Sequence, residues 1–385
     1  MDGYVHKYNF ELLTNNLTDF EKTLVNLEQI RYTENPFTFY KETAFLKSVD
    51  GNLSYYYLFS RIKSNSFNLG SGYLTHGFDF YRGSFHGQMI RGLINYCNLK
   101  GDSIILDPFC GSGTTLVESS LLGFNSIGID INPIACLNSK IKTNLLNCNV
   151  NRLSNDNKKY FKLGYYDKYK VHLTDFTDVL KSDIKELFYL FIFLRALSIE
   201  FRFSTDRKIG FKKLYFKLIK VLISFENLKK EISINLGESS IIFGDCLSEL
   251  KNLKSNSIDA IITSPPYIDL IDYIQEDLTP INFLIKNKKT EFLKSKSIGN
   301  KFRNYSLTEK LYWNKMDLFL KELIRILKPN KNFILIVNNY KNMSEKFEEI
   351  LIANYFLIER ILKRVVVNIK KKNNTEFVYF LKSKF

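Results

Sequence analysis

Short apolar runs alternate with amphipathic stretches over two parts of the chain. Ser103–Leu106 and Ser126–Ile129 are fully apolar or nearly so, as expected of parallel strands covered on both faces. Helical spacing over Gln88–Tyr96 and Thr114–Leu122 places a helix before the first run and another between the two. That is a βαβ unit. The alternation resumes at Ser240–Phe243 (strand), Leu247–Leu253 (helix), Ala260–Thr263 (strand) and Trp313–Leu327 (helix, stopped by Lys328-Pro329-Asn330). Asn332–Val337, Ser344–Ala353, Phe356–Val367 and Glu376–Leu381 then read as strand, helix, strand, strand. The sum predicts an α/β fold with a doubly wound, mostly parallel sheet.

Two regions fall outside the rhythm. Residues 138 to about 238 are rich in Lys, Tyr and Phe and read as mainly helical, notably 183–203 and 211–233. A connection of that length is an insertion with structure of its own. Its apolar run Leu187–Leu194 is too short for a bilayer and predicts a buried helix. Residues 1–72 are mixed; the spacing predicts an amphipathic helix over Asn16–Ile30, a strand at Tyr55–Phe59 and a break at Gly70–Gly72. The expected organisation is an N-terminal segment (1–72) of unassigned role, a cofactor-binding catalytic domain (73–145 and 239–385), and a helical insertion (146–238).

Composition narrows the chemistry. Among 385 residues, Lys and Arg outnumber Asp and Glu by 55 to 40, which favours a polyanionic partner through counterion release. The same excess also follows from a Lys-rich proteome, so it tilts the picture only mildly. Five cysteines, with no C-x-x-C spacing, suggest neither a disulfide framework nor zinc, and no metal site is expected. A polar N-terminus lacks signal-peptide character, so a cytoplasmic protein is expected.

Between the first strand and its helix lie Asp107, Pro108, Phe109, Cys110, Gly111, Ser112, Gly113 and Thr114. Sheets of this kind bind ligands at the carboxyl ends of their strands. A phosphate-binding P-loop needs a Lys that is missing, and a dinucleotide fingerprint wants a third glycine where Leu116 stands. S-adenosylmethionine carries no phosphate and calls for carboxylates. Asp107 can hold its ammonium, Asp130 at the second strand end its ribose hydroxyls, and Asp245 at the third its adenine amine, with Ile131, Asn132 and Cys246 beside them.

The run Ala260–Thr263 ends in Ser264, Pro265, Pro266 and Tyr267. Two prolines fix φ and remove two backbone donors. The Ser264 hydroxyl and the Pro265 carbonyl can accept hydrogen bonds from an exocyclic amine, freeing its nitrogen lone pair, while Tyr267 can stack on a base flipped from a duplex. No Pro-Cys dipeptide offers the nucleophile of a cytosine C5 enzyme, and no Ser-His-Asp order, H-E-x-x-H or nuclease signature is visible.

These motifs, with Gly128–Pro133, resemble the N4-cytosine/N6-adenine amino-methyltransferase family of DNA methyltransferases. The resemblance covers about 73–145 and 240–385, and implies a class I S-adenosylmethionine-dependent methyltransferase fold. Family members with Ser-Pro-Pro-Tyr are mostly N4-cytosine enzymes, which often carry the tetrapeptide before the glycine turn rather than after it. The segment Thr75–His86, including Thr75 and His76, is similar to the family stretch covering the methionine end of the cofactor. A site-specific, base-flipping N4-cytosine methyltransferase of a restriction–modification system follows, acting on double-stranded DNA, with any endonuclease on a separate chain. N6-adenine methylation and RNA N-methylation are the alternatives. Interleaved cations and aromatics in the insertion make Arg202, Arg207, Lys208 and Lys212 candidate DNA contacts.

Overall fold

In a computed structural model of the chain, the predicted strands pair into one sheet. The structure describes residues 48–49, 52–53, 62, 73–78, 85–154, 158–231, 234–268, 272–286, 290–298, 305–338, 343–354, 356–367 and 373–383. The expected helix over Asn16–Ile30, the strand at Tyr55–Phe59 and the break at Gly70–Gly72 lie outside these.

The strands are β1 (Ile104–Asp107), β2 (Asn125–Asp130), β3 (Ser239–Phe243), β4 (Ile258–Thr263), β5 (Leu327–Asn338), β6 (Phe356–Val367) and β7 (Asn373–Ser383). Their order across the sheet is β3-β2-β1-β4-β5-β7-β6. Neighbours are parallel from β3 to β5, and β7 runs antiparallel to both β5 and β6. This is the doubly wound class I methyltransferase sheet that the motifs implied. Because β1 lies between β2 and β4, the glycine turn and the Ser-Pro-Pro-Tyr turn leave adjacent strand ends, at a topological switch point.

Alternate strand residues feed two cores, as period-two side chains must. Ile105, Ala260, Ile262, Ile334 and Ile336 face one side, against α1 (Gly87–Tyr96), α2 (Thr114–Leu121) and α3 (Pro133–Asn147). Leu106, Ile261, Phe333, Leu335 and Val337 face the other.

The helix α3 crosses residue 138, where the sequence pattern had placed a break. Asn132 caps it, its side chain accepting from the Ile134 amide at 2.9 Å, and Pro133 opens it. The insertion proper carries α4 (Ile184–Phe203) and α5 (Arg207–Glu231). As predicted, Leu187–Leu194 is buried throughout, each residue at most 3% exposed. These side chains share one continuous core with α1, α3 and the sheet.

On the opposite face lie α6 (Cys246–Lys251), α7 (Tyr305–Ile326) and α8 (Met343–Ala353). Here the pattern misplaced one boundary. Lys328-Pro329-Asn330 was expected to separate α7 from the strand, yet β5 begins at Leu327. Pro329 and left-handed Asn330 (φ 58°) fall where the β4–β5 register jumps from Ile258↔Leu327 to Ala260↔Asn332. A proline that cannot donate to the ladder is tolerated at such a bulge.

Candidate active site

The glycine turn is held from three sides. Gly111 and Gly113 take left-handed φ values of 50° and 79°, open at little cost only to glycine. A Cβ on Gly113 would stand 2.7 Å from Ser139 Oγ and 2.9 Å from Ser139 Cα, so α3 packs directly on the turn. Ser139 Oγ donates to the Gly111 carbonyl at 2.9 Å, and buried Lys142 Nζ donates to the Ser112 carbonyl at 2.9 Å. Neither prop was visible in the sequence, where both sit in an ordinary helical stretch.

Asp130, at the tip of β2, orients the turn as well. Its Oδ2 accepts from the Gly111 amide (2.9 Å) and its Oδ1 from the Asn132 amide (2.8 Å). Each oxygen keeps a further lone pair, and the residue is only half-buried, so the carboxylate remains reachable. Asn132 Nδ2 donates to Asp277 Oδ2 at 2.8 Å, bringing in an acid that the motifs did not indicate. Asp245, at the N-terminus of α6, is half-buried and accepts from Ser248 Oγ at 3.0 Å.

Asp107 stands at the end of β1. It is 1% exposed, and its Oδ1 accepts from both Thr263 Oγ1 (2.7 Å) and the Phe109 amide (3.2 Å). It ties the end of β1 to the end of β4. Burial pushes its carboxyl up to about 6, against the lowering effect of the Thr263 hydrogen bond. Burial pushes Asp130 up to about 6 as well; its two backbone amides oppose this, while the charges of Asp107 and Asp277 add to it. Cys110 and Cys246 are buried thiols raised well above their ordinary range by burial and then by neighbouring acids, Asp130 foremost for Cys110 and Asp245 for Cys246. Such thiols are packing groups, not nucleophiles.

The donor set fits S-adenosylmethionine. Asp107, Asp130 and Asp245 stand at the ends of three adjacent strands, and the raised carboxyls of Asp107 and Asp130 are eased by a cation. The ligand's sulfonium and ammonium supply positive charge, and its ribose supplies hydroxyl donors.

The tetrapeptide continues β4. Ser264 Oγ and Tyr267 Oη lie 2.7 Å apart, and Tyr267 also meets the backbone of Asn338 at the end of β5. Its ring packs against the α7 core, and burial raises its phenol far above the ordinary value. Tyr273, in the short helix Tyr273–Glu276, is pushed up to about 12 by burial and then by Asp130.

Thr75 is fully buried, and His76 Nε2 lies 2.6 Å from Glu118 Oε1 on α2. Glu118 also takes the Tyr73 hydroxyl, and Arg91 Nη1 stands 3.6 Å from its other oxygen. This clamps 73–78 against α2, one turn from Thr114.

Of the candidate DNA contacts, Lys208 and Lys212 are exposed. Arg202 Nη2 donates to the Glu276 carbonyl at 3.0 Å, and Arg207 Nε donates to Glu200 Oε2 at 2.7 Å with its guanidinium over the Phe193 ring. Among the described residues, no helix is long and apolar enough to cross a membrane.

Sheet order, glycine turn and acid-tipped strands together define a class I S-adenosylmethionine-dependent methyltransferase. Residues 12–140 match the family described as DNA methylase. Type II methyltransferase M.MjaII of Methanocaldococcus jannaschii is 25% identical, over 79% of this chain and 78% of its own length. Type II methyltransferase M.BsoBI of Geobacillus stearothermophilus is 24% identical over 69% of this chain, which spans 64% of that relative. A tRNA (guanine(10)-N2)-dimethyltransferase of Methanothermobacter thermautotrophicus is 42% identical over 52 residues, 14% of this chain. The solved rRNA methyltransferase aviRa of Streptomyces viridochromogenes aligns with 80% of this chain and 88% of its own at 12% identity and a TM-score of 0.35, too low to add to the topology itself.

Proposed function

We propose that this chain methylates the N4 amine of cytosine in duplex DNA, as the methyltransferase of a restriction–modification system whose endonuclease is a separate chain. The observation that carries the reading is the Ser264–Tyr267 pair at the end of β4, joined through Thr263 to Asp107 at the end of β1. An acceptor for an amine thus sits one strand from the cofactor turn.

S-adenosylmethionine supplies an electrophilic methyl group on a positively charged sulfur. The chain's own residues do the rest. Asp130 and Asp245 receive hydroxyl and amine donors of the cofactor, and Asp107 lends negative charge from behind the turn. Ser264 Oγ and the Pro265 carbonyl accept the two N–H groups of the target amine, drawing its nitrogen out of conjugation. Pro265 and Pro266 keep that turn stiff. Tyr267, its hydroxyl fixed by Ser264 and Asn338, presents its ring to the flipped base. Positioning and preset polarity then supply most of the rate.

Ser264 in the leading position supports cytosine N4 over adenine N6, which the same acceptors could also serve. On the DNA side, exposed Lys208 and Lys212 reach phosphate, while Arg202 and Arg207 brace the helical pair that carries them. An RNA amine is a second reading, supported by the short likeness to the tRNA dimethyltransferase.

Sequencing that detects modified bases, applied to DNA from cells expressing the chain, tests all three. N4-methylcytosine at one repeated sequence is expected. N6-methyladenine there selects the alternative base, and unmodified DNA with methylated tRNA overturns the DNA reading.

A further inference from the structure

The turn between α4 and α5 exposes apolar surface where the fold has no use for it. Phe201 and Phe203 are 75% and 74% exposed, and Phe216 on α5 is 66% exposed; these are the most exposed large apolar side chains among the described residues. Left-handed Ser204 (φ 52°) ends α4 and turns the chain into α5, making a projecting tip rather than a flat face.

The tip stands at the catalytic edge. Between the two phenylalanines, Arg202 is anchored on the Glu276 carbonyl at 3.0 Å. The next residue, Asp277, accepts from Asn132, whose amide in turn binds Asp130. One short chain of contacts therefore runs from the tip to the cofactor carboxylate. Behind the tip, α5 exposes Lys208, Lys212, Lys213, Lys217 and Lys220, and the sequence holds no acid between Arg207 and Phe225. A second copy of the chain would bring this positive face against itself. A polyanion with an apolar interior matches both features, and base-paired DNA is one: phosphates outside, stacked bases within.

We propose that the α4–α5 tip is a wedge that enters the duplex beside the target base, with Phe201 and Phe203 taking up the stacking that the flipped base gives up and the lysines behind them holding flanking phosphates. This rests on the DNA reading above. The rings replace the stacking of the departing base and so lower the cost of extrusion, while Arg202 keeps the tip in register with the site.

The test compares wild type with the Phe201→Ala/Phe203→Ala double variant on two duplexes carrying the methylated sequence, one fully paired and one with the target base mismatched, where extrusion is easier. On the paired duplex the variant is expected to lose on the order of tenfold or more in kcat/KM, and on the mismatched one to recover to within about threefold of wild type. Cofactor affinity, measured alongside, is expected to stay unchanged, showing that the variant is folded. Equal loss on both duplexes, or no loss on either, overturns the wedge while the DNA reading stands. Wild-type protein that methylates neither duplex removes the DNA reading and the wedge with it. In a further arm, Lys208→Gln/Lys212→Gln is expected to weaken binding to both duplexes alike and flatten its salt dependence; an unaltered salt slope removes the lysines from the proposal.

Discussion

Thr263 donates its hydroxyl to Asp107 across 2.7 Å, binding the strand that ends in the Ser-Pro-Pro-Tyr turn to the strand that ends in the glycine turn. Both residues are buried, and the hydrogen bond works against the burial that raises the Asp107 carboxyl to about 6. In Thr263→Val that restraint is gone. The Asp107 carboxyl is expected to titrate higher than in wild type, read by carbon NMR of the labelled side chain. The stability lost should be larger at pH 7.5, where the acid is ionised and has lost one of its donors, than at pH 5. Equal losses at the two pH values would show that Asp107 does not depend on the hydroxyl.

Cofactor affinity should depend on pH with a definite sign. Asp130 titrates near 6, above the ordinary carboxylate range, because burial disfavours its charge. In the ligand-free chain, the unfolded state therefore binds fewer protons between about pH 4 and 6, so this group removes stability as pH rises through that window. A cationic ligand prefers the ionised form, so affinity should rise from pH 5 to pH 7 and level off above. Calorimetry at four pH values checks this; affinity that is flat across the range contradicts it.

Ser264→Ala removes one of the two acceptors proposed for the target amine. Turnover is expected to fall about 100-fold, by analogy with the loss of one preset polar contact at a reacting centre, with cofactor affinity unchanged. Tyr267→Phe keeps the Ser264 hydroxyl and the ring but loses the 2.7 Å contact between the hydroxyls, and a smaller loss of about tenfold is expected. Full activity in Ser264→Ala takes the hydroxyl out of the reaction.

Gly87 leaves room for the clamp on Glu118. A Cβ there would meet Tyr73 Oη at 2.6 Å, Glu118 Oε1 at 2.8 Å and His76 Nε2 at 2.9 Å. Gly87→Ala should cost about 1–3 kcal/mol by overpacking and should weaken cofactor binding if the 73–78 segment covers the ligand. Thermal unfolding with and without S-adenosylmethionine separates the two effects. An unchanged melting temperature means the clamp yields without cost.

The sheet and the two turns at its adjacent strand ends were legible because each strand is a short apolar run and each turn carries residues of unusual conformational type, glycine in one and proline in the other. What escaped were contacts between residues far apart in the chain. Ser139 and Lys142 lie on the face of α3 that props the glycine turn, but a serine and a lysine in a helix carry no mark of that task. Glu118 reads as a surface acid in a helical pattern and is in fact fully buried, because Tyr73 and His76 reach it from over 40 residues away. Pro329 misled in the opposite direction: it ends helices and strands alike in local pattern, and only the register jump against β4 accommodates it. The basic residues of the insertion were recognised by charge, but charge could not tell Arg207, held by Glu200, from Lys208, which faces solvent.

The core that α4 shares with α3 and the sheet has a consequence for how such enzymes diversify. If residues 146–238 choose the sequence that is methylated, they are not an exchangeable cassette. Grafting a relative's version would strip Leu187–Leu194 from the face it shields and leave the helix behind the cofactor turn bare. New specificity would have to arise at the hairpin's tip and outer face, where side chains can change without asking the interior to repack.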